Sequence, residues 1–476
     1  MKTKNEFLKN FKVEVPHFQD KYFSIEQFGA VAGGEVSNTE VIRKTIEEAV
    51  KQGGGHVVIP AGMWLTGPVE LKSGIDLHLE SGALLLFDKN KEEYPVQFTD
   101  YEGQPRIRAV SPITARNAEN VAITGKGTID GNGHLWRVVK KFKVTERQWK
   151  KMLESSDNVI PTKEGGMWFP TKSAYEGCLK GEPAVDEENA LEKAAPYYDF
   201  LRPVMVNFIH CNKVLIDGVT LENSPNWNVH PLFCTNLTVR NATIRNPYHA
   251  QNGDGIDVES CHTVEIVNTK FDVGDDAICI KSGKNEVARK VKGPTENVYI
   301  HDCTVLHGHG GFVVGSEMSR GVKDVYVDNC TFIGTDTGIR FKSQLGRGGV
   351  VENIHMENIN MLDIEEEAMI FTMGYSLYKM DHEQEEKDVM QNMEDVPEFK
   401  NIEIENVTCR GAATGLKVEG LTVLPIHDIH LKNVSVSADR AYVISNGKNI
   451  TAENVTFKSR TNTAESKVFT DCVVLQ

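Results

Sequence analysis

Three stretches decide the fold: Val214-Leu215-Ile216-Asp217-Gly218-Val219-Thr220, Leu237-Thr238-Val239-Arg240-Asn241-Ala242-Thr243 and Val264-Glu265-Ile266-Val267-Asn268-Thr269-Lys270. Each reads apolar, any, apolar, any, then Asn, Gly or Asp, then a small or β-branched pair. Further copies begin at Val298, Val325, Ile354, Ile402, Ile429 and Ile450. The apolar period within a copy is two, which is the period of a strand and not of a helix. The Asn-like positions are Gly218, Asn241, Asn268, Asp302, Asn329, Asn358, Asn406, Asn433 and Asn454. Their spacing runs from 21 residues (Asn433 to Asn454) to 48 (Asn358 to Asn406), with 27 the commonest step. Short strands recurring at such a step are the coils of a stack, so the pattern predicts an all-β fold, a right-handed parallel β-helix. Asn suits a left-handed turn that repeats from coil to coil and bonds to its copies above and below. The longest step holds the acidic segment Asp381–Glu386, expected as a loop thrown out from one coil.

A β-helix has an open apolar end that needs a cap. Residues 37–52 supply a helix, with Ser37, Asn38 or Thr39 at its start and Val41, Ile42, Ile46, Ala49 and Val50 on one face. The run Gly53-Gly54-Gly55 ends it, and strands follow at His56–Ile59 and Ile75–Leu79. Residues 1–24 read as an N-terminal extension and 25–476 as one β-helix catalytic domain. Residues 134–200 break the repeat. They are charged, contain Trp136, Trp149 and Trp168, and read as helical around Glu146–Glu154. An insertion beside the coils is expected there, partly closing a groove. A stack that grows in one dimension also explains how 476 residues can share one core.

Net charge is -15, from 67 acidic and 52 basic residues. That balance argues against nucleic acid, which needs a basic footprint. No apolar run approaches the roughly 20 residues of a membrane span. The opening residues carry no apolar signal segment and no small-residue cleavage site, so a cytoplasmic protein is expected, or a secreted one if a leader precedes this sequence. The nine cysteines include no CxxC pair. Cys211, Cys234 and Cys261 each lie three residues before a repeat start, and Cys303 and Cys330 share another slot. Stacked, buried free thiols are expected.

Four clusters carry chemistry. The first is Asn252-Gly253-Asp254-Gly255-Ile256-Asp257, and the second, about one coil later, is Gly274-Asp275-Asp276-Ala277. One coil of separation predicts Asp254 and Asp275 as neighbours on adjacent rungs. Adjacent strand residues face opposite sides, so a bend at Gly274 must turn Asp276 the same way. Breaking a glycosidic bond takes one carboxylic acid to protonate the leaving oxygen and another to activate water or attack directly. Crowded carboxylates raise one another's proton affinity, which would keep an acid protonated. Calcium binding or plain turn chemistry is the competing reading of the same residues. The third cluster is His307-Gly308-His309-Gly310-Gly311, where flanking glycines admit a ligand to the backbone. The fourth is Arg340-Phe341-Lys342: alternation puts both cations on one face, and a sugar carboxylate fits them. Lys281 is a further cation near the Asp doublet.

Taken together and in order, these clusters resemble glycoside hydrolase family 28, the polygalacturonases. The family pattern Asn-Thr-Asp, Asp-Asp, Gly-His-Gly, Arg-Ile-Lys is met by Asn252-Gly253-Asp254, Asp275-Asp276, Gly308-His309-Gly310 and Arg340-Phe341-Lys342, with Gly253 and Phe341 as departures. Phe28-Gly29-Ala30 through Gly82-Ala83 is similar to the family's capping segment. The resemblance implies Asp275 as general acid, Asp254 and Asp276 holding the water, inversion, His309 orienting the acid, and Arg340 and Lys342 gripping galacturonate on the leaving-group side. Inversion implies carboxyl groups roughly 6.5–9.5 Å apart. Segments Ser224–Pro231 and Gly315–Ser319 are similar to bacterial members and add Trp227, His230 and Glu317, with Asn252, as groove residues. The substrate implied is polygalacturonate or a pectic oligosaccharide, with no cofactor and no metal. Exo action on oligogalacturonides is expected from the missing leader and the insertion. The other readings are a rhamnogalacturonan hydrolase, a calcium-dependent pectate lyase and a non-catalytic β-helix adhesin.

Overall fold

The computed structural model describes residues 4–90, 92–291, 293–375 and 392–460, and the backbone of the strand Lys467–Thr470. The acidic segment Asp381–Glu386 lies outside the described residues. Parallel strands stack coil on coil, and the repeat starts fall in one column. Val214 pairs with Leu237, and the column runs on through Val264, Val298, Val325, Ile354, Ile402 and Ile429 to Ile450. It also extends upstream through Val121, Ile75 and Gly55, coils the repeat pattern did not reveal. Side chains pointing inward from the coils form one continuous apolar core from Phe23 to Ile450.

The ladder positions take the left-handed conformation, with φ between 47° at Asn268 and 56° at Asp302 for the non-glycine residues. Asn268 donates to Asn241 (2.8 Å), Asn433 to Asn406 (3.0 Å) and Asn454 to Asn433 (2.8 Å). A second column, immediately before each repeat start, is also left-handed: Lys213, Asn236, Thr263, Asn297, Asp324, Asn353, Asn401, Asp428 and Asn449. Its mixture of Asn, Asp, Thr and Lys hid it from a search for one recurring residue. Cys211, Cys234 and Cys261 stack inside the core as free thiols, as expected.

The capping helix spans Thr39–Lys51 and packs Ile42, Thr45, Ile46 and Ala49 onto the first coil. Asn38 precedes it, but its side chain does not cap. Its amide bonds instead to both backbone groups of Val31, fixing the preceding loop. Val50, expected on the packed face, is exposed because it lies about 100° round the helix from Ala49. The N-terminal segment is not a loose extension. Helix Lys4–Asn10 stacks Phe7 on Tyr326 at 3.9 Å, and Lys4 meets Asp328 and Glu357. The chain then bonds through the backbone of Glu14 and His17 to Asn236 and Asn120 before Tyr22–Ser24 joins the sheet beside Gly55–Ile59. It therefore straps successive coils together.

One face of the stack is a 12-stranded sheet whose central members are Val206–Ile209, Val229–Leu232, Ile256–Glu259, Asp276–Lys281, Gly310–Gly315 and Thr337–Lys342. Two excursions flank it. The chain leaves the coils after Thr128–Asp130 and rejoins at Val206, building helices Glu146–Ser155 and Lys172–Lys180 on the way. Thr145 and Gln148 close a capping box on the first of these. The other excursion is an antiparallel hairpin, Val96–Tyr101 with Gln104–Ala109, turned by Glu102 and Gly103, both at positive φ. It was not anticipated from the sequence.

Candidate active site

In the strand Ile256–Glu259 the core takes Ile256 and Val258, so Asp257 and Glu259 point outward. Ile256 pairs with Ile278, and the Gly255 N–H bonds to the Asp276 carbonyl at 2.9 Å. The rung neighbour of Asp254 is therefore Asp276, not Asp275 as the one-coil spacing suggested. Asp276 begins the strand Asp276–Lys281, and Asp275 sits in the bend before it, turned over the same face. The bend needs Gly274: a Cβ there would lie 2.5 Å from the Pro247 carbonyl. Oxygens of Asp254, Asp275 and Asp276 all come within 4.8 Å of one another. That is closer than the roughly 6.5–9.5 Å expected between two inverting carboxyls. Three carboxylates share this site, so the two-group spacing rule does not decide stereochemistry here.

Charge divides the trio. Burial, then the charges of Asp275, Asp257 and Asp276, push the Asp254 carboxyl well above the usual range. Burial also raises Asp275, but His309, with Nδ1 at 3.0 Å, together with Lys342 and Lys143, outweighs it and holds the carboxyl well below the usual range. The crowding effect expected for the acid thus falls on Asp254, while its cationic neighbours hold Asp275 as a carboxylate. Lys342 donates to Asp276 at 2.6 Å, and Arg340 lies 3.6 Å from it. Both cations project from the strand Thr337–Lys342 with Phe341 in the core between them, as alternation predicts. They face the groove already paired to Asp276. Tyr375 packs near them, its ring 4.9 Å from the Lys342 ammonium.

The remaining expected residues lie deeper. Trp227 and His230 are buried beneath the hairpin, where Tyr101 packs 4.5 Å from Trp227 and accepts a hydrogen bond from Asn226. His230 Nε2 meets Glu259 at 2.8 Å. Lys281 bonds to Glu317 at 2.8 Å, lies 3.6 Å from Asp257, and sits over the Trp227 ring at 4.7 Å. These residues form a buried floor and not an open wall. Asn252 accepts from Arg202 at 2.9 Å, so it is held by a residue at the end of the long excursion.

The sequence placed Asp257 in the first cluster without a role, and Glu259, Arg202, Lys143 and Tyr101 were missed. Asp257 and Glu259 had a signal, since both alternate with core residues on the strand that follows Asp254. Lys143 and Tyr101 had none, because each arrives from an excursion far away in sequence. Lys143 donates to the Gly274 carbonyl at 3.2 Å and lies 3.0 Å from His309 Nε2. His307, by contrast, pairs with Asp272 on the surface. The Asp trio is compact enough to surround a cation, but Lys342 and the His309–Lys143 pair already occupy its charge. A second cluster, His355 with Glu357 and Glu405, is likewise met by Lys4, Glu403 and Lys432.

Residues 199–456, more than half of the sequence, match the family described as glycosyl hydrolases family 28. The chain belongs to glycosyl hydrolases family 28. It is 27% identical to a probable polygalacturonase of Vitis vinifera, over 87% of this chain and 74% of that one. It is 30% identical to an exo-poly-alpha-D-galacturonosidase of Dickeya chrysanthemi, over 75% of this chain but only 58% of that longer protein. Among solved structures, a hyperthermoactive exopolygalacturonase from Thermotoga maritima superposes with a TM-score of 0.77 at 29% identity, covering 95% of each chain. The family span contains Asp254, Asp275, Asp276, His309, Arg340 and Lys342. Tyr101 and Lys143 lie outside it, on the excursions.

Proposed function

We propose that this glycoside hydrolase removes galacturonate units from the non-reducing end of polygalacturonate or oligogalacturonides, with inversion. The hairpin carries the exo reading. Its tip rests on the coil stack: Arg320 donates to the Gly103 carbonyl at 2.8 Å, Lys284 pairs with Glu102 at 2.9 Å, and Gln104 donates to the Lys284 carbonyl. Beneath it the outward-facing His230, Asp257 and Glu259 are fully buried. The hairpin thus leaves the N-terminal coils and covers one edge of the groove as far as Lys284 and Arg320. Arg340 and Lys342 lie on the opposite, C-terminal side, where the leaving chain is gripped. A polymer can enter only by its end. The related proteins named above as exo-acting support the same reading.

In this reading Asp275 protonates the glycosidic oxygen, Asp254 and Asp276 hold the attacking water, and Asp276, whose partner is Lys342, takes its proton. The carboxylate of the leaving sugar competes with Asp276 for Arg340 and Lys342, which frees Asp276 as substrate binds. Two measurements test the proposal. Product analysis on polygalacturonate should find monomer or one short product from the start, and early mixed oligomers with a rapid viscosity drop would overturn exo action. Asp275→Asn should lose roughly 10²–10⁴-fold in kcat on the polymer. It should retain most activity on an aryl galacturonide with a good leaving group, which needs no acid. Loss on both substrates would move the acid role elsewhere.

A further inference from the structure

Arg202 stands at the end of the long excursion, just before the strand Val206–Ile209. That strand lies two rungs to the N-terminal side of Ile256–Glu259, and Thr337–Lys342 lies two rungs to the C-terminal side of Asp276–Lys281. The Asp trio is therefore flanked by cations on both sides, Arg340 and Lys342 on one and Arg202 on the other. The two sides differ in their partners. Arg340 and Lys342 are met by Asp276, whereas among the described residues no carboxylate pairs with Arg202. Its Nη1 donates to the carbonyls of Pro225 at 3.0 Å and Gln251 at 2.9 Å, and its Nη2 donates to Asn252 Oδ1 at 2.9 Å. A guanidinium has five N–H groups, so these three bonds leave one on Nε and one on Nη2. N–H groups on neighbouring nitrogens can grip a carboxylate through two parallel bonds. The same three bonds hold the guanidinium in place before a ligand arrives, which removes part of the ordering cost. Arg202 is half-buried, and burial pushes it down to about 10, so it keeps its charge at neutral pH. Tyr101, Asp254 and Asp275 work against burial, and Arg108 adds to it. Arg108 stacks on the Tyr101 ring at 4.5 Å and is held by Glu182 at 2.7 Å. Next to the residues that Arg202 holds, Asn226 Oδ1 and Asp254 Oδ1 are buried acceptors without a hydrogen-bond partner, and sugar hydroxyls would satisfy them.

We propose that Arg202 binds the carboxylate of the galacturonate whose glycosidic bond is cut, so that the enzyme demands a uronate on both sides of that bond. The inference rests on the proposed chain direction, with the leaving chain at Arg340 and Lys342. A galacturonate bound over the trio sets a negative charge beside Asp254, Asp257, Asp275 and Asp276. Arg202 offsets that repulsion from the N-terminal side. A neutral sugar or a methyl ester in the same place would leave the Nε and Nη2 N–H groups unpaired in a half-buried site, which costs binding. A rhamnose there is disfavoured for the same reason. Arg202 is thus a specificity residue: it selects the sugar that the trio receives and takes no part in breaking the bond.

Digalacturonates carrying one methyl ester test this, because each ester removes one carboxylate at a time. Wild type should be slower on the non-reducing-unit ester than on digalacturonate by roughly 10–10²-fold in kcat/KM. Arg202→Gln should lose about the same factor on digalacturonate, roughly 10–10²-fold, and lose nothing further when the non-reducing unit is esterified. It should keep the full penalty for an ester on the reducing unit, which belongs to Arg340 and Lys342. Lys342→Ala should show the mirror pattern. Arg202→Lys keeps the charge but not the paired donors, and should fall between wild type and Arg202→Gln. Equal losses on all three substrates would mean that Arg202 only supports Pro225, Gln251 and Asn252, and would overturn the proposal, as would unchanged kinetics. Melting temperatures guard against misfolding, and if Arg202→Gln melts early, Arg202→Lys carries the same comparison. Relief of the reducing-unit ester in Arg202→Gln would also overturn the assignment. If Lys342→Ala then relieved the non-reducing-unit ester, the fault would lie in the chain direction of the proposed function, and otherwise in Arg202 alone.

Discussion

At the scale of single residues, Asp254 and Asp275 are a matched pair with opposite effects on stability. Asp254 has its folded proton affinity raised by burial and by three neighbouring carboxylates. Between the unfolded value near 3.9 and that raised value, the unfolded chain releases a proton that the folded chain keeps. Stability therefore falls as pH rises through this window, and the penalty is absent below pH ~4. Asp275 is the reverse: His309 and the nearby lysines lower it, so its contribution is complete above pH ~4 and is lost on acidification. Asp254→Asn should raise the melting temperature at pH 7 by about 1–3 °C, with the gain vanishing near pH 4. Asp275→Asn should lower it at pH 7. Both should lose roughly 10²-fold or more in kcat on the polymer. Thermal melts across pH check this, and shifts of the same sign would contradict the charge division described above. The identity of these residues was legible in the sequence, because Asp254, Asp275 and Asp276 stand in motifs at coil spacing. Their protonation was not, because it depends on which carboxylate His309 and Lys342 reach.

At the scale of elements, the coil stack was legible and its decorations were not. Every repeat start found in the sequence lies in one column, because a period-two apolar pattern leaves one register in which all inward faces are apolar. The hairpin Val96–Tyr101 with Gln104–Ala109 gave no such signal. It is held by contacts made far away in the chain, such as Gly103 against Arg320. In the proposed reading this element sets the mode of attack, and its tip can be tested. Gly103 has φ 63°, and a Cβ there would come within 2.5 Å of Arg320 Nη1 and 2.6 Å of the Gly283 Cα. Gly103→Val should lift the tip and open the roofed end while leaving the trio in place. The expected outcome is a product profile that shifts from a single short product toward mixed oligomers, with a steeper viscosity drop. An unchanged profile would mean that the hairpin does not set where the chain enters.

At the scale of the whole molecule, the proposed function brings a protein of net charge -15 to a substrate that is itself a polyanion. Two electrostatic effects oppose each other. Long-range repulsion between the acidic surface and the polymer is exposed to solvent, so salt screens it: the Debye length falls from ~30 Å at 0.01 M to ~10 Å at 0.1 M. Attraction at Arg340 and Lys342 is short-range and partly buried, and salt weakens it less. The first effect should win at low ionic strength. Raising salt from about 0.01 to 0.1 M should therefore lower KM for polygalacturonate by roughly 2-fold or more, with kcat unchanged. The same change should matter less for a dimer, which brings fewer charges toward the acidic coils. Steady-state kinetics on polymer and dimer at both salts would check this. A KM that rises with salt for both substrates would mean that the paired cations control encounter as well as grip, and that the net charge of the coil stack is too distant from the groove to matter.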